Sequence, residues 1–159
     1  MSRLDKKVID IANQGAGEAI LEIPIGFLTL VPNNTNNPNN NSLMLELSMT
    51  QQMIFPDTIV YLGNSRDEIG VYGKTESSII TLEGSDSDNN FRALLKSHYR
   101  ELDTNQTTPI RGFKIILTGT EERRGNSQVT ISFGGMQTFS NAAANGGDLI
   151  ITYVDINTF

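Results

Sequence analysis

The stretch Asp148-Leu149-Ile150-Ile151-Thr152-Tyr153-Val154-Asp155-Ile156 decides the fold class. Alternate residues of an extended chain point to opposite faces, and this stretch is apolar on both of them. A strand that buries both faces lies inside a sheet rather than at its edge. The stretch therefore predicts the central strand of a β-sheet.

Seven further segments have the length and the alternating pattern of strands, and turn residues separate them. Pro24 in the first of them predicts an edge or a bulge, because proline cannot donate a hydrogen bond to a neighbouring strand. Eight short strands in succession predict an all-β sandwich or barrel. The seven segments are Ala19–Val31, Leu43–Met49, Thr58–Gly63, Glu68–Tyr72, Ser77–Glu83, Ile110–Thr118 and Gln128–Phe133.

One segment between the fifth and sixth predicted strands has helical rather than alternating spacing. Its apolar and aromatic residues share one helical face, and the polar residues before it can cap the first turn. We predict an inserted α-helix at about 89–102 from the spacing of Phe91, Leu94, Leu95, His98, Tyr99 and Leu102.

The first residues form a separate short pattern. Leu4, Val8 and Ile11 follow helical spacing, and Gly15-Ala16-Gly17 ends the pattern. A helix this short is marginal by itself in water. We therefore predict an N-terminal arm over 1–17 that docks on a neighbouring subunit through these three side chains, and a single domain over 18–159.

Residues 32–42 form a low-complexity run of asparagine, proline, threonine and serine with no apolar side chain to bury. This composition predicts a solvated loop between two strands. Loops on rigid scaffolds often carry recognition, so Asn33, Asn34, Asn36 and Asn37 are candidate interaction residues on the outer side of the domain.

The composition excludes several classes of active site. The 159 residues contain no cysteine, no tryptophan and one histidine, His98, which removes cysteine nucleophiles, disulfide frameworks and metal sites with two imidazoles. The net charge of −6 argues against a nucleic-acid partner. We expect no catalytic residues, no cofactor and no metal site, and a structural role for His98.

Two acidic residues, Asp86 and Asp88, alternate like the first ligands of a calcium loop. Phe91 stands where that loop requires glycine, which excludes an EF-hand and favours helix capping. Weak calcium binding at Asp86 and Asp88 stays open. No stretch reaches about 18 consecutive apolar residues, so we expect a soluble protein without a membrane span.

Three parts of the chain resemble the viral jelly roll, and more narrowly one half of the double jelly-roll capsid proteins of membrane-containing bacteriophages such as corticoviruses and tectiviruses. They are the entry 15–26, the predicted helix Phe91–Lys96 placed after the fifth strand, and the ending Asp148–Ile156. The resemblance implies an eight-stranded antiparallel jelly-roll sandwich with one inserted helix.

A chain of one roll resembles the vertex, minor capsid or spike-base proteins of that lineage rather than its major capsid protein. The resemblance implies a non-enzymatic virion protein, made in the host cytoplasm, that forms a closed ring with itself, foremost a pentameric penton. Neighbouring capsid proteins are the implied partners, and a spike protein or the inner membrane are further ones.

A second function remains open from the residues alone. A β-sandwich with long loops at one end is also typical of carbohydrate- or ligand-binding modules of spike, fibre or lectin type. The loops around 33–41 and 141–147 would then form the site.

Overall fold

A computed structural model describes residues 1–33, 37–63, 65–87, 90–104 and 109–159. These residues form one helix, α1 (Ser2–Gln14), and ten strands. The strands are β1 (Glu18–Val31), β2 (Ser42–Met49), β3 (Ile59–Tyr61), β4 (Ile69–Val71), β5 (Ser78–Ser87), β6 (Asn90–Tyr99), β7 (Glu101–Asp103), β8 (Arg111–Thr118), β9 (Arg123–Phe139) and β10 (Asp148–Thr158).

The ten strands belong to one sheet with the order β3-β5-β6-β2-β1-β9-β10-β8-β7-β4. β6 and β7 stand six places apart in this order, yet only Arg100 separates them in the chain. The sheet must therefore curl until its two halves face each other. We call β3, β5, β6, β2 and β1 the first half, and β9, β10, β8, β7 and β4 the second half.

The all-β class predicted from the sequence is confirmed, and β10 lies in the interior of the sheet as its two apolar faces indicated. The prediction of eight antiparallel strands is wrong in its detail. The described residues form ten strands, and the pairs β10–β8 and β4–β7 are parallel. β10 runs parallel to β8 because it returns beside β9 and lies between β9 and β8.

The inserted helix predicted at about 89–102 is wrong. Residues 90–99 form β6, which pairs with β2 on one side and β5 on the other, and 101–103 form β7. Both faces of β6 are partly covered, so apolar side chains occur on both faces and imitate a helical stripe. The alternation is still visible in Ala93, Ser97 and Tyr99, which are buried.

The predicted N-terminal helix is present, and Gly15 ends it in the left-handed conformation with φ of 62°. Its apolar side chains do not extend toward a neighbour. Leu4, Val8 and Ile11 lie in the core of the same chain, against residues of β1, β9 and β10. The expectation of an arm that docks on another subunit is therefore corrected, since the three side chains are already buried.

A buried carboxylate fixes α1 to the sheet. Asp5 accepts hydrogen bonds from Ser97 Oγ of β6 at 2.5 Å and from Ser78 Oγ of β5 at 3.0 Å. Burial, and after it the negative charge of Asp5, raise the pKa of Tyr99 well above its usual value. Ser78 and Ser97 can therefore be buried although they are polar, because both hydroxyls donate to the Asp5 carboxylate of α1.

Pro24 lies in a bulge, as the sequence predicted. The register of β1 with β9 shifts between Ile23 and Phe27, so that Pro24 needs no ladder partner. Gly26 within the bulge has φ of 88°, and a Cβ there would collide with the carbonyl oxygen of Glu46. Only glycine fits this position.

The two halves of the sheet are joined by the side chain of one asparagine. Asn41 Nδ2 donates to the carbonyl oxygens of Tyr99 in β6 (3.0 Å) and Ile115 in β8 (2.8 Å). Its Oδ1 accepts the backbone N–H of Leu117 at 2.8 Å. Asn41 is 1% exposed, so the predicted solvated loop ends in a core residue, and the prediction is wrong for this part of the run.

Replacing Asn41 by glycine tests this bridge. Asn41 has φ of 53°, which glycine tolerates, so the change removes the three hydrogen bonds without backbone strain. The bonded groups of Tyr99, Ile115 and Leu117 would lose their buried partner, and we expect the free energy of unfolding to fall by about 3 kcal/mol. Urea denaturation measures it.

The matched control is Asn33→Gly, because Asn33 is an exposed asparagine of the same loop. We expect its free energy of unfolding to change by no more than about 0.5 kcal/mol. Equal losses in the two variants would show that the Asn41 side chain does not join the halves.

Candidate assembly surface

The edge strand β3 exposes an uncharged apolar segment. Residues 58–63 read Thr-Ile-Val-Tyr-Leu-Gly, with no charged residue and no proline. Ile59 and Leu62 are 54% and 53% exposed, and Val60 and Tyr61 are also exposed. Charges, prolines and bulges are the usual features that protect an edge strand from pairing with another chain. We call residues 58–63 the edge segment.

The hydrogen bonds to β5 show which backbone groups of the edge segment face outward. Leu62 N–H donates to Ile80, and the carbonyl of Thr58 accepts from Gly84. Bonding alternates along an antiparallel pair, so Thr58, Val60 and Leu62 face β5. Ile59 and Tyr61 therefore direct their N–H and C=O groups away from the sheet, where no group of the described residues bonds to them.

The opposite edge of the sheet, β4, is capped by its own chain. The outward N–H of Val71 donates to Thr75 Oγ1 at 2.7 Å. The Val71 carbonyl accepts from the backbone N–H groups of Lys74 (3.0 Å) and Thr75 (2.9 Å). The residues Gly73-Lys74-Thr75 form the tight turn that makes this cap. The two edges thus differ: at β4 the outward groups of Val71 are bonded and those of Ile69 have no partner among the described residues, whereas at β3 the outward groups of both Ile59 and Tyr61 have none.

A second apolar surface precedes the edge segment in the chain. Met53 and Phe55 are 79% and 76% exposed in the connection from β2 to β3. The backbone of this connection packs on β5, because a Cβ at Gly84 would touch the carbonyl oxygens of Ile54 and Phe55. The connection is therefore held in place while its side chains face solvent. We call Met53 and Phe55 the apolar loop.

A third apolar surface is a pocket of about 340 Å³ beside the start of α1. The bulge of β1 forms one wall through Ile23, Pro24 and Ile25, and Leu45 and Leu47 of β2 form another. Arg3 and Glu22 are its charged lining residues. We call this cavity the N-terminal pocket.

The candidate interaction residues of the asparagine-rich loop do not form one free surface. Asn33 is exposed, while Asn37 is partly buried and its Nδ2 lies 3.5 Å from Glu121 Oε1. Asn34 and Asn36 lie outside the described residues. Lys96 Nζ donates to Asn39 Oδ1 at 2.7 Å, so the loop also packs on β6.

The single histidine lies on β6 and has a contact on each ring nitrogen. His98 Nδ1 is 3.1 Å from the carbonyl oxygen of Asn40, and Nε2 is 3.1 Å from Glu68 Oε2. The side chain thus connects the asparagine-rich loop to the segment that leads into β4.

Arg100 fixes the two connections that precede and follow β4. Its side chain is fully buried at the corner between β6 and β7. Nε donates to the carbonyl of Glu76 at 2.9 Å, and Nη1 donates to the carbonyl of Asp67 at 2.8 Å and to Ser65 Oγ at 3.2 Å. The connections on both sides of β4 are therefore fixed by one guanidinium group.

One of two neighbouring carboxyl groups on β7, that of Asp103, lines a pocket of about 340 Å³ whose walls also include Ile69, Val71 and Ile110. Asp103 lines it together with Thr104 and Asn145, and Glu101 Oε1 accepts the backbone N–H of Ala144 at 2.7 Å. Burial, a hydrogen bond with Glu101 and the charge of Glu101 raise the pKa of Asp103 to about 6. We call this cavity the β7 pocket.

No group of three or more potential metal-ligating side chains occurs within the described ranges. Asp88 and the side chain of Asp86, where weak calcium binding stayed open, lie outside what the structure describes. Of the helical residues that are described, none belongs to a helix long and apolar enough to cross a membrane.

Comparisons with known proteins identified no relative. No family model, no curated protein and no solved structure matches the chain.

Sequence reasoning identified the edge segment as a strand but missed it as a surface. The available signal was the absence of any charge or proline over 58–63. The position of this strand at the sheet edge depends on pairing with β5, which the sequence pattern does not reveal. The apolar loop and the β7 pocket were missed for the same reason.

The pair Asp103 and Glu101 predicts a pH dependence of stability. The folded state raises the pKa of Asp103 from 3.8 to about 6, so it binds the proton more tightly than the unfolded state does. Stability therefore falls as pH rises between about 4 and 6. An asparagine at this position cannot ionise, so Asp103→Asn removes this pH-dependent fall in the free energy of unfolding. We expect the difference in stability between the variant and the native chain to shift in favour of the variant from pH 4 to pH 7.

Chemical denaturation of both proteins at a series of pH values measures the difference. Asp57→Asn is the control, since Asp57 is an exposed carboxylate in a connection. A stability difference between Asp103→Asn and the native chain that stays constant from pH 4 to pH 7 would contradict the assignment.

Proposed function

We propose that this chain is a non-enzymatic structural protein of a bacteriophage virion, a single jelly-roll capsid component that forms a closed ring, foremost the pentameric vertex protein. The resemblance of the entry 15–26 and the ending 148–156 to the double jelly-roll lineage supports the virion setting. Residues 91–96 do not add to it, because they form part of β6 and not the inserted helix of that lineage. The exposed apolar surfaces support self-association.

The observation that carries the proposal is the apolar loop. Met53 and Phe55 are more than three-quarters exposed although their backbone is held against Gly84. Burial of a Phe or Met side chain contributes about 1.5–3 kcal/mol. Large apolar side chains that stand on a fixed backbone next to an apolar edge are typical of a protein–protein interface.

A ring also requires a second, different surface on the same chain, because its contacts are head to tail. The N-terminal pocket has suitable chemistry, since its walls are aliphatic side chains of β1 and β2. The apolar loop follows β2 in the chain and packs on β5, whereas the pocket lies where α1 meets β1 and β2. We propose that the apolar loop of one copy occupies the N-terminal pocket of the next copy.

The fold supports a role as a rigid unit. Asn41 joins the two halves of the sheet, Asp5 fixes α1 to the sheet, and Arg100 fixes the connections before and after β4. Each of these contacts crosses between distant parts of the chain. A subunit of a shell must keep its shape while neighbours press on its sides, and this network serves that need.

Mass photometry of the purified chain tests the ring, and we expect particles of five copies or multiples of five. Phe55→Asp places a charge in the contact, so we expect the five-fold species to disappear. The control Met136→Asp places the same charge on an apolar side chain that is 67% exposed on β9. A monomeric native chain, or equal effects of the two variants, would contradict the proposal.

The β7 pocket favours a second candidate, a carbohydrate- or ligand-binding module. Asp103, Thr104 and Asn145 supply a carboxyl, a hydroxyl and an amide, which are the groups that bind sugar hydroxyls.

A glycan array with the native chain and with Asn145→Ala tests this candidate. Asn145 is exposed, so its loss should leave the fold intact. Binding of a defined glycan that falls at least about tenfold in the variant would favour the module, since tenfold corresponds to about 1.4 kcal/mol. Absence of binding to any glycan would count against the carbohydrate form of this candidate.

A further inference from the structure

We infer that β3 is a second self-association site, at which two copies pair their edge segments antiparallel about a two-fold axis centred on Val60. This inference rests on the proposed function, because it names a contact between copies of an assembly subunit. It is separate from the ring contact, which uses the side chains of the apolar loop.

The outward backbone groups determine the register. Ile59 and Tyr61 direct N–H and C=O groups away from β5, while Val60 is bonded toward β5. A two-fold axis at Val60 places Ile59 of each copy opposite Tyr61 of the other. These are hydrogen-bonded pairs that exchange two bonds each, so the contact forms four hydrogen bonds between backbones. Every outward group of the two residues then has a partner.

The side chains are complementary in the same register. Ile59 and Tyr61 point to the same face of the strand, because they are two residues apart. The pairing brings each Tyr61 ring beside an Ile59 side chain, and aromatic with β-branched pairs are among the favourable cross-strand pairs. Val60 meets its own copy across the axis, so the apolar side chains of the strand, which are exposed in one copy, contact each other in the pair.

The charges at the two ends of the segment favour a second copy as the occupant. Asp57 is exposed before the strand, and Arg66 after it lies with its guanidinium 4.6 Å from the centre of the Tyr61 ring. Antiparallel pairing sets the Asp57 end of one copy beside the Arg66 end of the other. Asp67 and Glu68 follow Arg66, and they contact Ser65 and His98 of their own chain.

The other edge strand does not compete for this role. The outward groups of Val71 in β4 are bonded to Lys74 and Thr75 of the same chain. Pairing at β4 would require these bonds to break first, whereas pairing at β3 requires no bond to break among the described residues. Among the described residues, β3 is therefore the edge at which successive outward groups are all without a partner, and an edge that pairs with its own copy forms a two-fold contact.

A single cysteine tests the axis, because the native chain contains none. In the inferred register Val60 faces Val60 in a non-hydrogen-bonded pair, with Cα atoms about 4.5 Å apart. That separation lies within the range that a disulfide spans. We therefore expect Val60→Cys to form a covalent dimer on mild oxidation, measured on a non-reducing gel.

Two control variants separate a defined register from chance collision. Leu62 is opposite Thr58 of the other copy, which leaves the two Leu62 positions about 14 Å apart along the strands. Met136 is exposed on β9, away from either edge. We expect Leu62→Cys and Met136→Cys to give at least about tenfold less dimer than Val60→Cys, because only position 60 is held against itself.

Val60→Lys provides an independent test without oxidation. It would place two like charges opposite each other at the axis, which destabilises a strand pair. We expect mass photometry of this variant to show single rings of five, whereas Phe55→Asp retains dimers and the double variant is monomeric. Circular dichroism checks that each variant is folded.

The outcomes distinguish this inference from the proposed function. Five-fold particles of the native chain, without preferential dimers of Val60→Cys, would overturn the two-fold contact and leave the ring. Dimers through position 60 without five-fold particles would support the contact and contradict the ring. A native chain that is monomeric and a Val60→Cys variant that does not cross-link would overturn both.

Discussion

The amide of Asn41 is the interaction on which the curled sheet depends. Two halves of a sheet that face each other leave backbone groups at their meeting point without a strand partner, and a buried unpartnered group costs about 1–3 kcal/mol. One asparagine side chain supplies two donors for carbonyls of β6 and β8 and one acceptor for Leu117. Asparagine also tolerates the left-handed backbone that directs the amide inward. Arg100 likewise supplies hydrogen-bond donors to backbone carbonyls, those of Glu76 and Asp67 in the connections around β4.

Local patterns predicted α1, the central β10 and the bulge at Pro24, because each depends on the chemistry of a few consecutive residues. The pattern failed at 91–102, where β6 is covered on both faces and its polar core residue Ser97 is explained only by Asp5. Asp5 and Ser97 meet through tertiary packing, which no local period encodes. The same limit applies to the candidate surface. The alternation over 58–63 identifies a strand, but only the strand order shows that it lies at an edge.

The two edge strands, β4 and β3, differ in how their outward backbone groups are bonded. A tight turn with Thr75 occupies the outward backbone groups of Val71 in β4, and a fully buried Arg100 fixes the connections on either side of this strand. β3 has neither protection, and the most exposed apolar side chains of the described residues lie just before it. Elsewhere in the fold, individual side chains such as Asn41 and Arg100 bond the backbone groups that have no strand partner. The edge segment has no such bond among the described residues, which is consistent with our proposal that another copy covers it. α1 and the sheet bury one common apolar cluster.

The pairing of β1 with β9 has a consequence for how the chain is made. Leu21 in β1 pairs with Val129 in β9. β1 therefore cannot complete its pairing until β9, which is synthesised much later, is available. Contacts between such distant residues slow folding, because a long loop must close before they form. Until β9 leaves the ribosome, β1 and β2 remain a hairpin with an unpaired side, and α1 lacks the β9 and β10 side chains that bury it. The uncharged edge segment emerges early in this period, and the nascent chain is then at its greatest risk of pairing with another copy before its own fold is complete.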